Sequence, residues 1–102
     1  MSISTEPDIS LVFADPLRRE ILDLLADEQL CTCHLVELTG AKQPTISHHL
    51  KVLKQFGIVE SEAVGRNTYY RIVSSSLIDY ANSLISLAKK ASYSQKERLG
   101  CQ

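Results

Sequence analysis

The run CTCHLVELTGAKQPTISHHLKVLKQFG, residues 31–57, decides the fold. It reads as two short helices on either side of a tight connection. The first, over residues 31–40, turns Leu35 and Leu38 inward and stops at Gly40, a residue suited to a helix C-terminus. Ala41, Lys42 and Gln43 form the connection. The second helix opens at Pro44, ends at Gly57, and places Ile46, Leu50 and Leu53 on one buried stripe. Two helices joined in this way, the first closing on glycine, form the helix–turn–helix of DNA-binding proteins. The second helix is then the one that enters the major groove, with its N-terminal half against the bases.

The exposed face of that second helix carries suitable side chains. Successive residues advance by about 100° around a helix. With Ile46, Leu50 and Leu53 inward, His48, Lys51 and Gln55 project most directly outward. Thr45 and Ser47 flank them, Gln43 stands at the helix start, and His49 lies nearer the core boundary. Hydroxyls and amides bond phosphate oxygens or base edges, and glutamine pairs in bidentate fashion with adenine. The DNA-contact candidates are Lys42, Gln43, Thr45, Ser47, His48, His49 and Lys51. A polar helix face with two histidines is also what a merely solvated helix looks like.

Outward from this core the pattern stays coherent. Upstream, PLRREILDLLADE (residues 16–28) repeats Leu17, Ile21, Leu24 and Leu25 at helical spacing, with Asp15 as cap and Pro16 at the first helical position. Downstream, IVESEAVGRNTYYRIV (58–73) changes to a period of two and reads as a hairpin turning at Gly65-Arg66-Asn67. Such a hairpin forms a wing, and Arg66 joins Lys42 and Lys51 as a phosphate contact. A last long helix follows, with Leu77, Ile78, Ala81, Leu84, Ile85 and Ala88 on one stripe. The expected fold is mainly α with a β-hairpin wing: one domain over residues 1–94 and a polar tail over 95–102.

Charge follows the same division. The 102 residues carry a net −1. Residues 1–41 are acidic. Residues 42–73 carry Lys42, Lys51, Lys54, Arg66 and Arg71 against Glu60 and Glu62, for +3. A basic segment inside a neutral chain attracts phosphate locally. A chain this short buries only about two thirds of its unfolded surface, which favours a dimer that hides more. No serine–histidine–aspartate or paired-carboxylate constellation stands out, so an enzyme is not expected. A winged helix that contacts protein rather than DNA is the alternative from another class.

The same run also holds two of the three cysteines, Cys31 and Cys33, beside His34. No segment approaches the roughly 18 apolar residues of a membrane span. The N-terminus MSISTEPDIS lacks the order of a signal peptide. A cytoplasmic, reducing setting is expected, where a standing disulfide is disfavoured and the cysteines are thiols. Their uses are packing, redox chemistry or a metal site. Near a helix N-terminus the dipole favours thiolate, and soft thiolates select As(III), Sb(III), Cd(II) or Pb(II) over hard ions. Residues two apart on a helix diverge by about 200°, so one ion on both sulfurs requires the first turn to unwind. A direct bond between the two is disfavoured by strain.

Three segments, FADPLRREILDLL, CTCHLVELTGAKQPTISHHLKVLKQFGIV and GRNTYYRI, resemble the arsenic-repressor (ArsR/SmtB) family of bacterial transcriptional repressors over roughly residues 9–90. The resemblance implies a winged-helix homodimer joined through its terminal helices, here about 9–14 and 75–93. It implies repression of a resistance or efflux operon at an operator with dyad symmetry, with release on binding an inducer. The arsenic- and cadmium-sensing branch has a three-cysteine box at the start of the helix before the recognition helix. Cys31 and Cys33 match its first two sulfurs, and Val36 stands in place of the third. Cys101 in the tail is the remaining thiol able to complete the set, with His34 a nitrogen alternative. The last helix has Asp79 but no histidine, so the zinc-sensing site of the family is not expected. The resemblance makes As(III) or Sb(III) the leading inducer, with Cd(II) or Pb(II) and thiol redox as alternatives.

Overall fold

The computed structural model describes residues 9–94 together with 98 and 100. A short 3-10 helix, Ile9–Ala14, leads into α1 (Pro16–Asp27). A two-residue strand β1 (Leu30–Cys31), helices α2 (Thr32–Thr39) and α3 (Gln43–Gln55), strands β2 (Val59–Val64) and β3 (Asn67–Ile72), and α4 (Ser74–Ser94) follow. The protein is mainly helical with a three-stranded antiparallel sheet ordered β1-β3-β2.

Local sequence accounts for each boundary. Asp15 caps α1 by accepting from the backbone N–H groups of Leu17 (2.8 Å) and Arg18 (3.3 Å), and Pro16 stands where its missing N–H is not needed. Gly40 ends α2 at φ +74°, and its N–H reaches the Val36 carbonyl at 2.9 Å. Thr39 shapes the connection: its hydroxyl donates to the Leu35 carbonyl and accepts from the Ala41 N–H. The wing pairs from Val59↔Ile72 out to Val64↔Asn67, which leaves a two-residue loop of Gly65 and Arg66. Gly65 has φ +63°, and among the described residues no non-glycine residue has positive φ. That is the pattern of a type II′ turn, which matches strand twist.

The buried core draws on the 3-10 helix, α1, β1, α2, α3 and β2, with Tyr70 and Ile72 of β3 and Leu77 of α4 half-buried against it. Val12, Ile21, Leu22, Leu25, Leu30, Leu35, Ile46, Leu50, Leu53, Ile58 and Val59 form one buried cluster. The stripe expected on α3 is fully realised, since Ile46, Leu50 and Leu53 are all buried. Burying each such side chain contributes about 1.5–3 kcal/mol. The 3-10 helix is held to α4 by Phe13 stacked on Tyr80, with ring centroids 5.2 Å apart.

Two expectations change. Leu38 does not face inward: it is 56% exposed, because α2 is only eight residues long and Leu35 alone takes its buried position. The sheet also has a third strand. Leu30 pairs with Tyr70 and Cys31 with Tyr69. Cys31 is therefore extended (φ −86°, ψ 166°) and caps α2 rather than lying inside it. Two residues are too few to show a strand period.

Candidate functional site

The structure turns most of the proposed DNA-contact residues outward. Lys42, Gln43, Thr45, Ser47, His48 and Lys51 are all exposed, and Gln43 through Lys51 occupy the first nine positions of α3. Lys42 immediately precedes the helix, and its side chain makes no capping bond. Arg66 is exposed at the tip of the wing.

His49 departs from that set. It is 7% exposed, on the inner flank of α3. Its Nδ1 accepts from Arg18 Nε at 3.0 Å, and its Nε2 lies 4.0 Å from Asp15 Oδ2. At about 60° from the buried stripe, the ring reaches α1 rather than the groove. It belongs to the scaffold beneath the contact face.

Two further basic residues of the segment have protein partners. Arg71 spans the wing ladder, with Nε 2.6 Å from Glu60 and Nη1 3.2 Å from Glu62. The bond to Glu60 and its charge, then Glu62, hold the guanidinium above its ordinary pKa. Lys54 Nζ donates to Ser61 Oγ at 2.8 Å, joining the end of α3 to β2. Within residues 42–73 this leaves Lys42, Lys51 and Arg66 facing solvent, the three expected from sequence to meet phosphate.

The second feature lies at the start of α2. Cys31, Cys33 and His34 place their donor atoms within 4.8 Å of one another. Cys31 is buried, and Cys33 and His34 are exposed. A capping box organises them: His34 N–H donates to Cys31 Sγ (3.4 Å) and Cys31 N–H donates to His34 Nδ1 (3.5 Å). Cys31 Sγ also lies 3.2 Å from His34 Nδ1.

Here two sequence expectations are corrected. Cys31 and Cys33 are joined as a disulfide, with Cα atoms 5.4 Å apart. The divergence of about 200° holds only inside a helix. Cys31 is the extended cap, so both sulfurs reach a common point with α2 intact. For the same reason, bringing both to one ion does not require the first turn to unwind. Cys101 lies outside the described residues, as does most of the expected tail.

The last helix keeps a long apolar face without cover. Ile78, Leu84 and Ile85 on that face are each about half exposed, and Leu87 on another side of the helix and Leu11 in the 3-10 helix are more so. Among the described residues no helix is long and apolar enough to cross a membrane.

Comparison with known proteins agrees with this geometry. The family described as "Bacterial regulatory protein, arsR family" matches residues 15–61, from the α1 cap into β2. The arsenical resistance operon repressor of Staphylococcus xylosus is 39% identical over 82 residues, covering 80% of this chain and 78% of that protein. The solved structure of the ArsR-like transcriptional regulator from Rhodococcus sp. RHA1 superposes with a TM-score of 0.79 at 27% identity, covering 83% of this chain and 78% of that one. The homodimeric winged helix-turn-helix DNA-binding domain Mb0332 from Mycobacterium bovis shares the fold, with a TM-score of 0.64 at 23% identity, over 96% of this chain and all of that one. With that likeness spanning the recognition helix, the wing and the thiol-bearing turn, the chain belongs to the arsR family of bacterial regulatory proteins, which are DNA-binding transcriptional regulators rather than enzymes.

Proposed function

We propose that the protein represses a resistance or efflux operon and leaves its operator when a thiophilic metalloid binds the reduced thiolates of Cys31 and Cys33. The observation that carries this reading is the position of the donor cluster. Cys31, Cys33 and His34 sit at the head of α2, the helix that the Thr39–Gly40 turn connects to the DNA-contact helix. Soft thiolates favour As(III) and Sb(III), with Cd(II) and Pb(II) as the divalent alternatives. The name of the Staphylococcus xylosus relative supports the arsenical choice. Cys101 is the proposed third sulfur, and His34 is the nitrogen that the structure already holds beside Cys31.

The protein acts as a homodimer through the 3-10 helix and α4, on an operator of dyad symmetry, in a cytoplasmic setting. The uncovered apolar face of α4 supports this, since two copies can bury it against each other. Residues 1–94 form the working domain and 95–102 its tail. Operator and inducer are coupled through one equilibrium, so each weakens the other by the same factor.

A second reading has its own support. The bonded sulfurs fit a redox regulator in which closing and opening the Cys31–Cys33 disulfide replaces ion binding. A gel-shift titration on the DNA upstream of the protein's own gene tests both. Under full reduction, arsenite releases the wild type and fails to release Cys31→Ser. Release by peroxide alone, with no effect of arsenite, favours the redox reading. Absence of salt-sensitive binding to that DNA sinks both.

A further inference from the structure

One titratable group lies directly beneath the DNA-contact face and takes no part in the contacts above. His49 is on α3, one residue from the exposed His48, with ring centroids 5.6 Å apart. Its own ring is buried against the N-terminus of α1. The hydrogen bonds specify its chemical state. A guanidinium donates and never accepts, so the Arg18 Nε–H at 3.0 Å requires an unprotonated Nδ1. The ring proton is then on Nε2, the atom facing Asp15 Oδ2. The other carboxylate oxygen, Oδ1, is engaged by the backbone N–H groups of Leu17 and Arg18. One carboxylate thus caps α1 and faces the ring, while the arginine three residues on is anchored by the same ring. Here the recognition helix is tied to α1 by directed bonds in addition to apolar packing.

We infer that His49 is a positioning residue for operator recognition: neutral, it accepts from Arg18 and sets α3 on α1, and protonated, it loses that acceptor and loosens the reading helix. The asymmetry of the ring makes the effect one-sided. Nε2 carries a proton in both states, so its relation to Asp15 changes little in geometry. Nδ1 changes from acceptor to donor, and it then points an N–H at the N–H of a cation. The bond to Arg18 turns from attraction to repulsion.

The surroundings fix the pH range. Burial lowers the His49 pKa, the charge of Asp15 opposes this, and the charges of Arg18 and His48 reinforce it. These are the charged groups that act on it, from α1 and from its own helix. The folded protein therefore favours the neutral ring more than the unfolded chain does. Stability from this group is complete above the ordinary histidine value of 6.5 and is lost as pH falls below it through the folded value. A charge-assisted hydrogen bond of this kind corresponds to about a tenfold change in the population of the seated helix. Because seated α3 is what reads bases, the loss falls on operator preference rather than on binding to DNA in general.

This inference rests on the repressor reading, and the test keeps the two apart. Affinities of the wild type and His49→Asn for the operator duplex and for a scrambled duplex are measured at pH 7.5 and 5.5. Asparagine offers an acceptor oxygen near the position of Nδ1 and does not titrate. The wild type loses about tenfold in its operator-to-scrambled ratio on acidification, and His49→Asn keeps its ratio within about twofold. The ratio cancels the general gain in phosphate attraction when His48 and His49 acquire charge. Ring nitrogen shifts at pH 7.5 report the Nε2–H tautomer of His49, and thermal unfolding of the wild type weakens below pH 6.5 more steeply than that of His49→Asn. An Nδ1–H tautomer overturns the inference, and so does an equal change of ratio in both proteins. No operator preference in either protein at pH 7.5 overturns the repressor reading and the inference with it.

Discussion

Cys31 stands directly opposite Tyr69 where the two-residue strand before α2 pairs with the inner strand of the wing. The ring of Tyr69 also lies over His34, with centroids 6.4 Å apart at a tilt of 53°. One residue thus belongs to three things at once: the donor cluster, the cap of α2 and the ladder of the wing. A change at its sulfur has a short path to both elements proposed to contact DNA. In the reduced protein, arsenite should change amide exchange at Tyr69 and Tyr70 and in the first turn of α2 before any change in α1. Release of DNA with unaltered exchange at Tyr69 and Tyr70 would show that the wing takes no part in the switch.

Cys31→Ser separates the switch from the scaffold. Serine is a favoured helix cap, so its hydroxyl can replace the sulfur in accepting from the His34 N–H. The variant should remain folded, with a loss of stability within about 2 kcal/mol from the smaller buried group. It should bind operator like the wild type and require at least about tenfold more arsenite for release, since one of the proposed thiolate ligands is gone. Unfolding of the variant by circular dichroism, or wild-type sensitivity to arsenite in a gel shift, contradicts this assignment.

Lys51 and His48 are exposed on the outer face of α3 and make no salt bridge, so their removal should leave the fold intact. Lys51→Ala should weaken binding to all duplexes and reduce the slope of log affinity against log salt by about one. His48→Ala should cost about 1–3 kcal/mol on the operator and less on unrelated DNA if its ring reads a base edge. Fluorescence anisotropy over a series of salt concentrations measures both. A Lys51→Ala protein with an unchanged salt slope would remove that lysine from the phosphate contacts.

Much of this was legible in the sequence. Pro16, Gly40 and Gly57 mark where helices begin and end through backbone restrictions that act locally, and the buried stripe of α3 is periodic over about two turns. The features that were not legible depend on contacts distant in the chain. Cys31 looks helical by its neighbours, and only its pairing with Tyr69, 38 positions away, makes it extended. His49 lies near the core boundary by spacing and still counts among the DNA-contact candidates until Arg18 is brought against it from 31 residues upstream. Leu38 has the spacing of a core residue in a helix too short to bury two of them. In each case a tertiary contact or its absence overrode a local preference.

The two arginines of the wing should behave differently despite equal charge. Arg66 is at the exposed tip, whereas Arg71 is clamped between Glu60 and Glu62. Arg66→Ala should lower affinity and the salt slope, in the manner of a lost phosphate contact. Arg71→Ala should leave the salt slope near the wild-type value, because its charge is already neutralised within the ladder. The comparison is read from the same anisotropy titrations. Equal losses for both would mean that the Arg71 clamp opens on DNA.

The apolar face of α4 supplies the last prediction. Ile78, Leu84 and Ile85 lie on one side of a long helix whose sequence carries no charge from Tyr80 to Ala88, and each is about half exposed. Monomeric proteins seldom leave such a contiguous surface in water. A copy of the same helix related by a two-fold axis would cover it with like residues, since such an interface is self-complementary. Leu84→Glu should then convert a dimer into a monomer by light scattering at micromolar concentration. Helical signal should be retained, because Leu84 lies outside the buried core cluster. On the proposed operator of two half-sites a monomer would present one recognition helix, so affinity should fall by at least about a hundredfold through loss of the second, effectively intramolecular contact. A monomeric Leu84→Glu protein that binds the operator as tightly as the wild type would show that one recognition helix suffices, and a dimeric one would move the interface off α4.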